Sequence, residues 1–282
     1  VLQSVVDVLA CPHCGQGLAA AEGSLRCPVG HTFDLAKQGY VSLLAGAGTG
    51  IDGDDAAMVA ARHEVLEAGH YTPVGEHVAR EAARVTPAGG AVLDVGAGTG
   101  YYLREALAGC PDSPGVALDV SKYACRRAAK ADPRIGAVLA DAWRALPLLD
   151  GSVSTVLNVF APRHAAEMAR VLRPGGHLVV VTPEPRHLVS LVDRLGLITV
   201  DERKRQRLDE QLGDRFEPVT SSEVTFGLSL SLGEAEAVAA MGPSARHVAA
   251  AELRDRLAEL PEPVETTAAV TATTYRLRTS ID

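Results

Sequence analysis

Positive charge is in short supply in this chain. Lys and Arg number 27 against 35 Asp and Glu, giving a net charge of −8 over 282 residues. No bulk attraction for a polyanion follows, so a nucleic-acid site would have to be a local basic patch. Long apolar runs are missing too, and none approaches the roughly 18 residues that cross a bilayer. The N-terminus carries apolar Val5, Val6, Val8 and Leu9 without a basic start or a signal-cleavage pattern, so the expectation is a cytoplasmic chain with no membrane partner. Five cysteines, an odd number in a large chain, exclude a secreted disulfide framework. Aromatic residues make up only 4%, so the few that lie at strand ends are worth following. What remains is ordinary: 47% apolar and 22% charged residues suit one large soluble domain, or a medium one with a small module.

The stretch that organises the chain is 91–100, Ala-Val-Leu-Asp-Val-Gly-Ala-Gly-Thr-Gly. Val92–Val95 reads as a short buried strand, apolar except for Asp94. Gly96, Gly98 and Gly100 form a turn around Thr99, and a helix-compatible run covers Tyr102–Leu107. Strand, glycine turn and helix open a nucleotide-binding βαβ unit, in which glycines let the backbone approach a ligand. A dinucleotide fingerprint needs a third glycine where Tyr101 stands. Asp94-x-Gly-x-Gly-x-Gly instead resembles motif I of class I methyltransferases that use S-adenosylmethionine (SAM).

Downstream acids support that reading. Asp119 ends a strand over Pro114–Val120 and is placed for ribose hydroxyls. Asp141 follows a strand over Ile135–Ala140 and is placed for the adenine amino group. Ser154–Val159 is the fourth strand, and His177–Thr182 the fifth. Any one acid could be a helix N-cap, but their order at successive strand ends predicts a doubly wound α/β sheet with SAM at its switch point. Residues after the fourth strand, Asn158-Val-Phe160-Ala-Pro162, face the methyl group in such a fold. They are similar to the Asn-Pro-Pro-Tyr loop of nitrogen-methylating enzymes, with the aromatic displaced. A carboxamide can receive the N–H groups of a flat amide-like base, and Phe160 or Trp143 can stack on it, although each taken singly also suits a core. No residue declares itself as base; Glu184, His187 and His164 are candidates, as is water. Phe216–Leu232 and Val264–Leu277 read as closing antiparallel strands, and Gly233–Ala240 and Ala249–Leu260 as helices around Met241–His247.

At the N-terminus, Cys11-x2-Cys14 and Cys27-x3-His31 form two knuckles, with Pro12, Gly15, Pro28 and Gly30 supplying turns. Three thiolates and an imidazole suit a closed tetrahedral zinc site, hence a structural one. His13 is a possible competing ligand. Strand-like Ser24–Arg26 and Thr32–Asp34 make this a ribbon with too little core to fold without metal. Residues 37–53 read as a loop and mobile lid. A helix capped by Asp54 or Asp55 runs through Leu66, and a second covers Val74–Val85, with His70 and Tyr71 between them. Basic residues concentrate in Lys122–Arg134 and Arg203–Arg207, each equally a solvated helix face. The expected boundaries are 1–36 for a zinc ribbon serving as a recognition module, 37–85 for linker loop and helices, and 86–282 for the SAM domain.

Cys11-x2-Cys14-x12-Cys27-x3-His31, Phe33-Asp-x-Ala-Lys-x-Gly-Tyr-Val, Ala61-Arg62, Gly69-His-Tyr71, Asp94-x-Gly-x-Gly and Asn158-Val-Phe-Ala-Pro together resemble the RlmA/TlrB family. These are 23S ribosomal RNA (guanine-N1)-methyltransferases, and Asn158-Val-Phe-Ala-Pro with Ala240-Met-Gly-Pro-Ser most resembles the macrolide-resistance branch, which includes the tylosin-resistance enzyme. The resemblance implies a class I fold with a seven-stranded sheet, SAM as donor, and structural zinc. It also implies the hairpin 35 loop of 23S rRNA as target, with guanine 748 the expected base, and a homodimer with a cleft for RNA. Tyr71, Gly98, Thr99 and His187 match cofactor-contacting positions of the family; Ala97 departs from relatives with cysteine or glycine there. Two other readings stay open: a small-molecule methyltransferase of antibiotic biosynthesis, and a non-catalytic protein that binds SAM, zinc and RNA.

Overall fold

A computed structural model of the chain describes residues 2–46, 53–197, 199, 204–242 and 250–278. Most of Gly46–Gly53, most of Met241–His247, and Arg203 lie outside the described residues, as do the side chains of Lys204 and Arg205.

Two short 3-10 turns, Leu2–Ser4 and Val6–Val8, precede a three-stranded antiparallel ribbon of β1 (Ala19–Ala21), β2 (Ser24–Arg26) and β3 (Thr32–Asp34). Then come β4 (Tyr40–Ser42), α1 (Ala56–Glu67) and α2 (Thr72–Val85). Asp55 caps α1 by accepting from the Met58 N–H at 2.9 Å, and Pro73 occupies the first turn of α2, where a missing N–H costs nothing. The alternating units follow: β5 (Val92–Val95), α3 (Tyr101–Ala108), β6 (Gly115–Asp119), α4 (Lys122–Ala128), β7 (Ile135–Leu139), β8 (Val153–Val159), α5 (Ala165–Val171) and β9 (Leu172–Pro183). The chain continues through α6 (Val189–Leu195), α7 (Lys204–Leu212), β10 (Phe216–Leu230), α8 (Leu232–Ala240), α9 (Ala250–Ala258) and β11 (Val264–Leu277).

The main sheet has the order β10-β11-β9-β8-β5-β6-β7-β4, parallel from β9 to β4, with β11 antiparallel between β9 and β10. From β5 the chain winds one way through β6 and β7, then returns to build β8 and β9 on the other side. The crevice at the carboxyl ends of β5 and β8 is therefore the topological switch point. Seven strands answer to the expected class I sheet. The eighth, β4, lies within the stretch expected to be a loop. Val41 and Leu43 are buried beside β7, and that burial outweighs the loose glycine pattern around them.

Strand residues alternate between two cores. Val92, Ala117, Leu157 and Val179 face α2, α3 and α8 on one side. Leu93, Val116, Val156 and Leu178 face the other, where they meet α5, α7 and the N-terminal ribbon through Leu9, Leu18 and Leu25. The ribbon thus shares a core with the sheet. Gly136 shows how close the contact is: a Cβ there would lie 2.1 Å from a Val5 methyl carbon. Each of these buried valine and leucine side chains contributes about 1.5–3 kcal/mol of transfer free energy.

Candidate functional site

The floor of the crevice is Asp94. It is buried at the end of β5, and neither carboxylate oxygen has a hydrogen-bond partner among the described residues. Burial pushes its carboxyl up to about 8, and the nearby Asp119 carboxylate adds to the shift. An uncompensated buried carboxyl is costly, so one kept at the switch point marks a place for a cation or donor. Above it the glycine turn is drawn onto β6, with the Gly96 and Ala97 N–H groups donating to the Leu118 carbonyl at 2.8 and 3.0 Å. Gly96 has φ +77°, and a Cβ there would come 2.5 Å from the Ala161 Cβ, so a side chain would close the crevice. Gly98 and Gly100 also have positive φ, and Thr99 between them is buried.

Asp119 anchors this turn. One oxygen accepts the Gly98 N–H and the other the Ser121 N–H, both at 2.8 Å. Burial raises its carboxyl against the pull of those two donors. Asp141, buried just past β7, accepts the Trp143 N–H at 2.9 Å and lies 3.5 Å from the Arg144 guanidinium. Trp143 itself is exposed.

On the other side, Asn158 is fully buried at the end of β8. Its amide nitrogen donates to the Pro162 carbonyl at 2.8 Å and lies 3.4 Å from the Val95 carbonyl, whereas its carbonyl oxygen is unpaired among the described residues. These bonds curl the loop so that Phe160 takes φ +54°, a left-handed conformation that costs a bulky residue free energy and gathers at functional sites. The ring is partly exposed and lies 6.0–6.2 Å from the rings of Tyr71, Tyr102 and His187. The Tyr71 hydroxyl pairs with His187 Nε2 at 3.3 Å, and His187 Nδ1 lies 3.1 Å from both the Ala269 N–H and its carbonyl. Burial holds the Tyr71 phenol far above its ordinary range, so it stays neutral.

Of the candidate bases, His164 is engaged elsewhere: its Nδ1 accepts the Glu167 N–H at 3.2 Å and caps α5. Glu184 turns to the Thr271 hydroxyl on β11. His187 alone of the three is shown in ring contact with Phe160. His70 pairs with Glu234 at 2.9 Å instead of joining the crevice. Tyr102 and Arg62 are placed at the site without having been singled out individually. Tyr102 read as an ordinary helix residue, and Arg62 only as part of a sequence pattern.

The basic stretch Lys122–Arg134 is helical only in its first half, where α4 carries Lys122, Arg126 and Arg127. α4 ends at Ala128, and Arg134 spends its guanidinium on Asp132 and on the carbonyls of Leu107, Cys110 and Pro111. Lys122 and Arg126 lie over the Tyr123 ring at 5.1 and 5.5 Å.

The four N-terminal ligands converge. Their ligand atoms all lie within 4.8 Å of one another, with His31 Nδ1 3.3 Å from Cys27 Sγ and 3.5 Å from Cys11 Sγ, and Cys14 and Cys27 Sγ 3.7 Å apart. A tetrahedron with Zn–S bonds of about 2.3 Å has sulfur–sulfur edges of about 3.8 Å, so the set fits zinc and leaves no open position. His13 lies outside the set, stacked on Phe33 with centroids 5.8 Å apart.

Two family models match the chain: an N-terminal RlmA zinc ribbon over residues 9–45 and a methyltransferase domain over 92–176. A Streptomyces fradiae 23S rRNA (guanine(748)-N1)-methyltransferase is 47% identical over 97% of this chain and 98% of its own. A Micromonospora griseorubida protein, provisionally named 23S rRNA (guanine-N1)-methyltransferase, is 49% identical over 95% of this chain and 97% of its own. Among solved structures, a chain in the complex of the Haloferax volcanii Trm112 methyltransferase activator with a methyltransferase superposes with a TM-score of 0.51. It is 20% identical and covers 80% of this chain and 98% of that one, a likeness of fold alone.

Proposed function

Because the chain belongs to the 23S rRNA (guanine-N1)-methyltransferases that carry an RlmA-type zinc ribbon, we propose that it methylates guanine 748 in the hairpin 35 loop and thereby confers resistance to mycinosyl macrolides such as tylosin. The enzyme uses SAM as methyl donor, and its ribbon holds a structural zinc ion. The name of the S. fradiae relative supports the choice of base.

SAM supplies an electrophilic methyl sulfonium. The chain's part is to bind it and hold a base in line, since positioning can supply most of the acceleration for a reaction between two held centres. The unpartnered Asp94 carboxyl suits the donor's ammonium group, Asp119 its ribose and Asp141 its adenine amino group, while Gly96, Gly98, Thr99 and Gly100 give it backbone access. Tyr71 and His187 close the crevice beside them. On the acceptor side, Phe160 offers a ring face to a flat base, and the free Asn158 oxygen can accept from an N–H group. Pro162 holds Asn158 in place through its carbonyl. His187, bonded on both nitrogens, orients Tyr71 and Phe160; the guanine N1 proton leaves to water.

The observation that carries this reading is the pairing of a buried carboxyl at β5 with a buried carboxamide oxygen at β8, both unpartnered among the described residues and one on each side of the switch point. Labelled SAM should transfer methyl to a hairpin 35 transcript, and much less to one with adenine in place of guanine 748. Labelling of both transcripts alike would refute the base assignment, and labelling of tylosin itself would favour the small-molecule reading. We place the working enzyme in the cytoplasm as a homodimer. Among the described residues no helix is long and apolar enough to cross a membrane, and sedimentation of the pure protein as a monomer would remove the dimer.

A further inference from the structure

A cation stands at the glycine turn. Arg62, on α1, lies over Gly98, so that a Cβ placed there would meet Arg62 Cδ at 3.5 Å and Nη1 at 3.6 Å. Its Nη1 pairs with the Asp54 carboxylate just before α1, and its Nη2 donates to the Met241 carbonyl at the end of α8 at 2.7 Å. Asp54 is itself fixed, because its carbonyl accepts the Ser121 hydroxyl beside Asp119. The guanidinium is thus held from two sides while remaining about one-quarter exposed. It has five N–H groups, and the described contacts use two.

The amino-acid end of SAM is a zwitterion. Asp94 answers its ammonium group, but nothing assigned so far answers its carboxylate. We propose that Arg62 binds the carboxylate of the cofactor's amino-acid end, with Asp54 and the Met241 carbonyl positioning the guanidinium for it. A planar guanidinium with free donors suits a carboxylate by paired hydrogen bonds, which a lysine ammonium matches less well. Opposite charges, Asp94 and Arg62, then meet the opposite ends of one zwitterion around the same turn. Because Arg62 also links α1 to α8, an occupied carboxylate site ties both helices to the bound donor.

The assignment rests on SAM being the donor, and two ligands separate the questions. S-adenosylhomocysteine keeps the amino-acid end, whereas 5′-methylthioadenosine has the nucleoside and thioether without it. Calorimetry on the full chain should show Arg62→Gln, which can still donate to the Met241 carbonyl, losing about ten- to hundredfold in affinity for S-adenosylhomocysteine. Its affinity for 5′-methylthioadenosine should stay within about twofold, which also reports an intact fold. Arg62→Lys should fall between wild type and Arg62→Gln for the first ligand only. A purely structural role for Arg62 predicts equal losses for both ligands, and that result, or no loss for either, overturns the proposal. Wild-type protein that binds no S-adenosylhomocysteine would overturn the donor reading together with it.

Discussion

Replacing Asp119 by alanine tests how the cofactor turn is built. The carboxylate accepts the N–H groups of Gly98 and Ser121, each at 2.8 Å. Hydrogen bonds to a charged group contribute about 1.5–3 kcal/mol apiece, so losing both would cost about 3–6 kcal/mol if nothing offset it. Burial offsets part. It raises the Asp119 carboxyl, and the Asp119 charge in turn raises Asp94, so removing Asp119 relieves two penalties at once. We therefore expect Asp119→Ala to destabilise the ligand-free protein by only about 1–3 kcal/mol. SAM binding has no such compensation if Asp119 accepts from the ribose as proposed, because that acceptor goes and the Gly98 end of the turn loses its anchor. SAM affinity should drop about ten- to hundredfold. Asp119→Asn keeps a carbonyl oxygen for one of the two N–H groups and should fall between. Denaturant melts and calorimetry with SAM read the two quantities separately. A SAM Kd within about twofold of wild type for Asp119→Ala would refute the placement of Asp119 in the cofactor site.

Cys14→Ser should release the single zinc ion and lower the melting temperature by several degrees, because Leu9, Leu18 and Leu25 of the ribbon share a core with Leu93 and Val116 of the sheet; SAM affinity should change little. Metal analysis showing one zinc per chain in this variant would sink the ligand set. Asp94 carries a pH signature. Its carboxyl titrates at about 8 in the folded chain against 3.8 as the ordinary value, so the folded state holds a proton that the unfolded state has released between those pH values. The stability it lends is complete below about pH 4 and is lost as pH rises through about 8. Asp94→Asn should flatten that decline in melts between pH 5 and 8 (approximate limits of the window). The SAM ammonium favours the carboxylate, so binding at neutral pH should release a proton; an observed enthalpy independent of buffer ionisation would contradict this.

Much of this protein is legible in its sequence, because several of its signals are local. Cys11, Cys14, Cys27 and His31 meet because two tight turns and a short hairpin leave those side chains few places to go. Asp94, Asp119 and Asp141 lie at or just past the carboxyl ends of parallel strands, as chain order and strand periodicity required. Tertiary packing decided what depends on partners remote in sequence. The edge strand β4 exists because β7 offers Val41 and Leu43 a place to be buried. His164 serves a helix cap, and Arg134 is consumed by backbone carbonyls brought to it from α3 and the turn after it. The ring contacts among Phe160, Tyr71, Tyr102 and His187 gather four separate segments, and Arg62 reaches the glycine turn only because α1 folds back over it. Sequence spacing fixes which residues share a turn or a strand end; which side chains face one another across the crevice is set by how helices pack on the sheet, and no spacing encodes that.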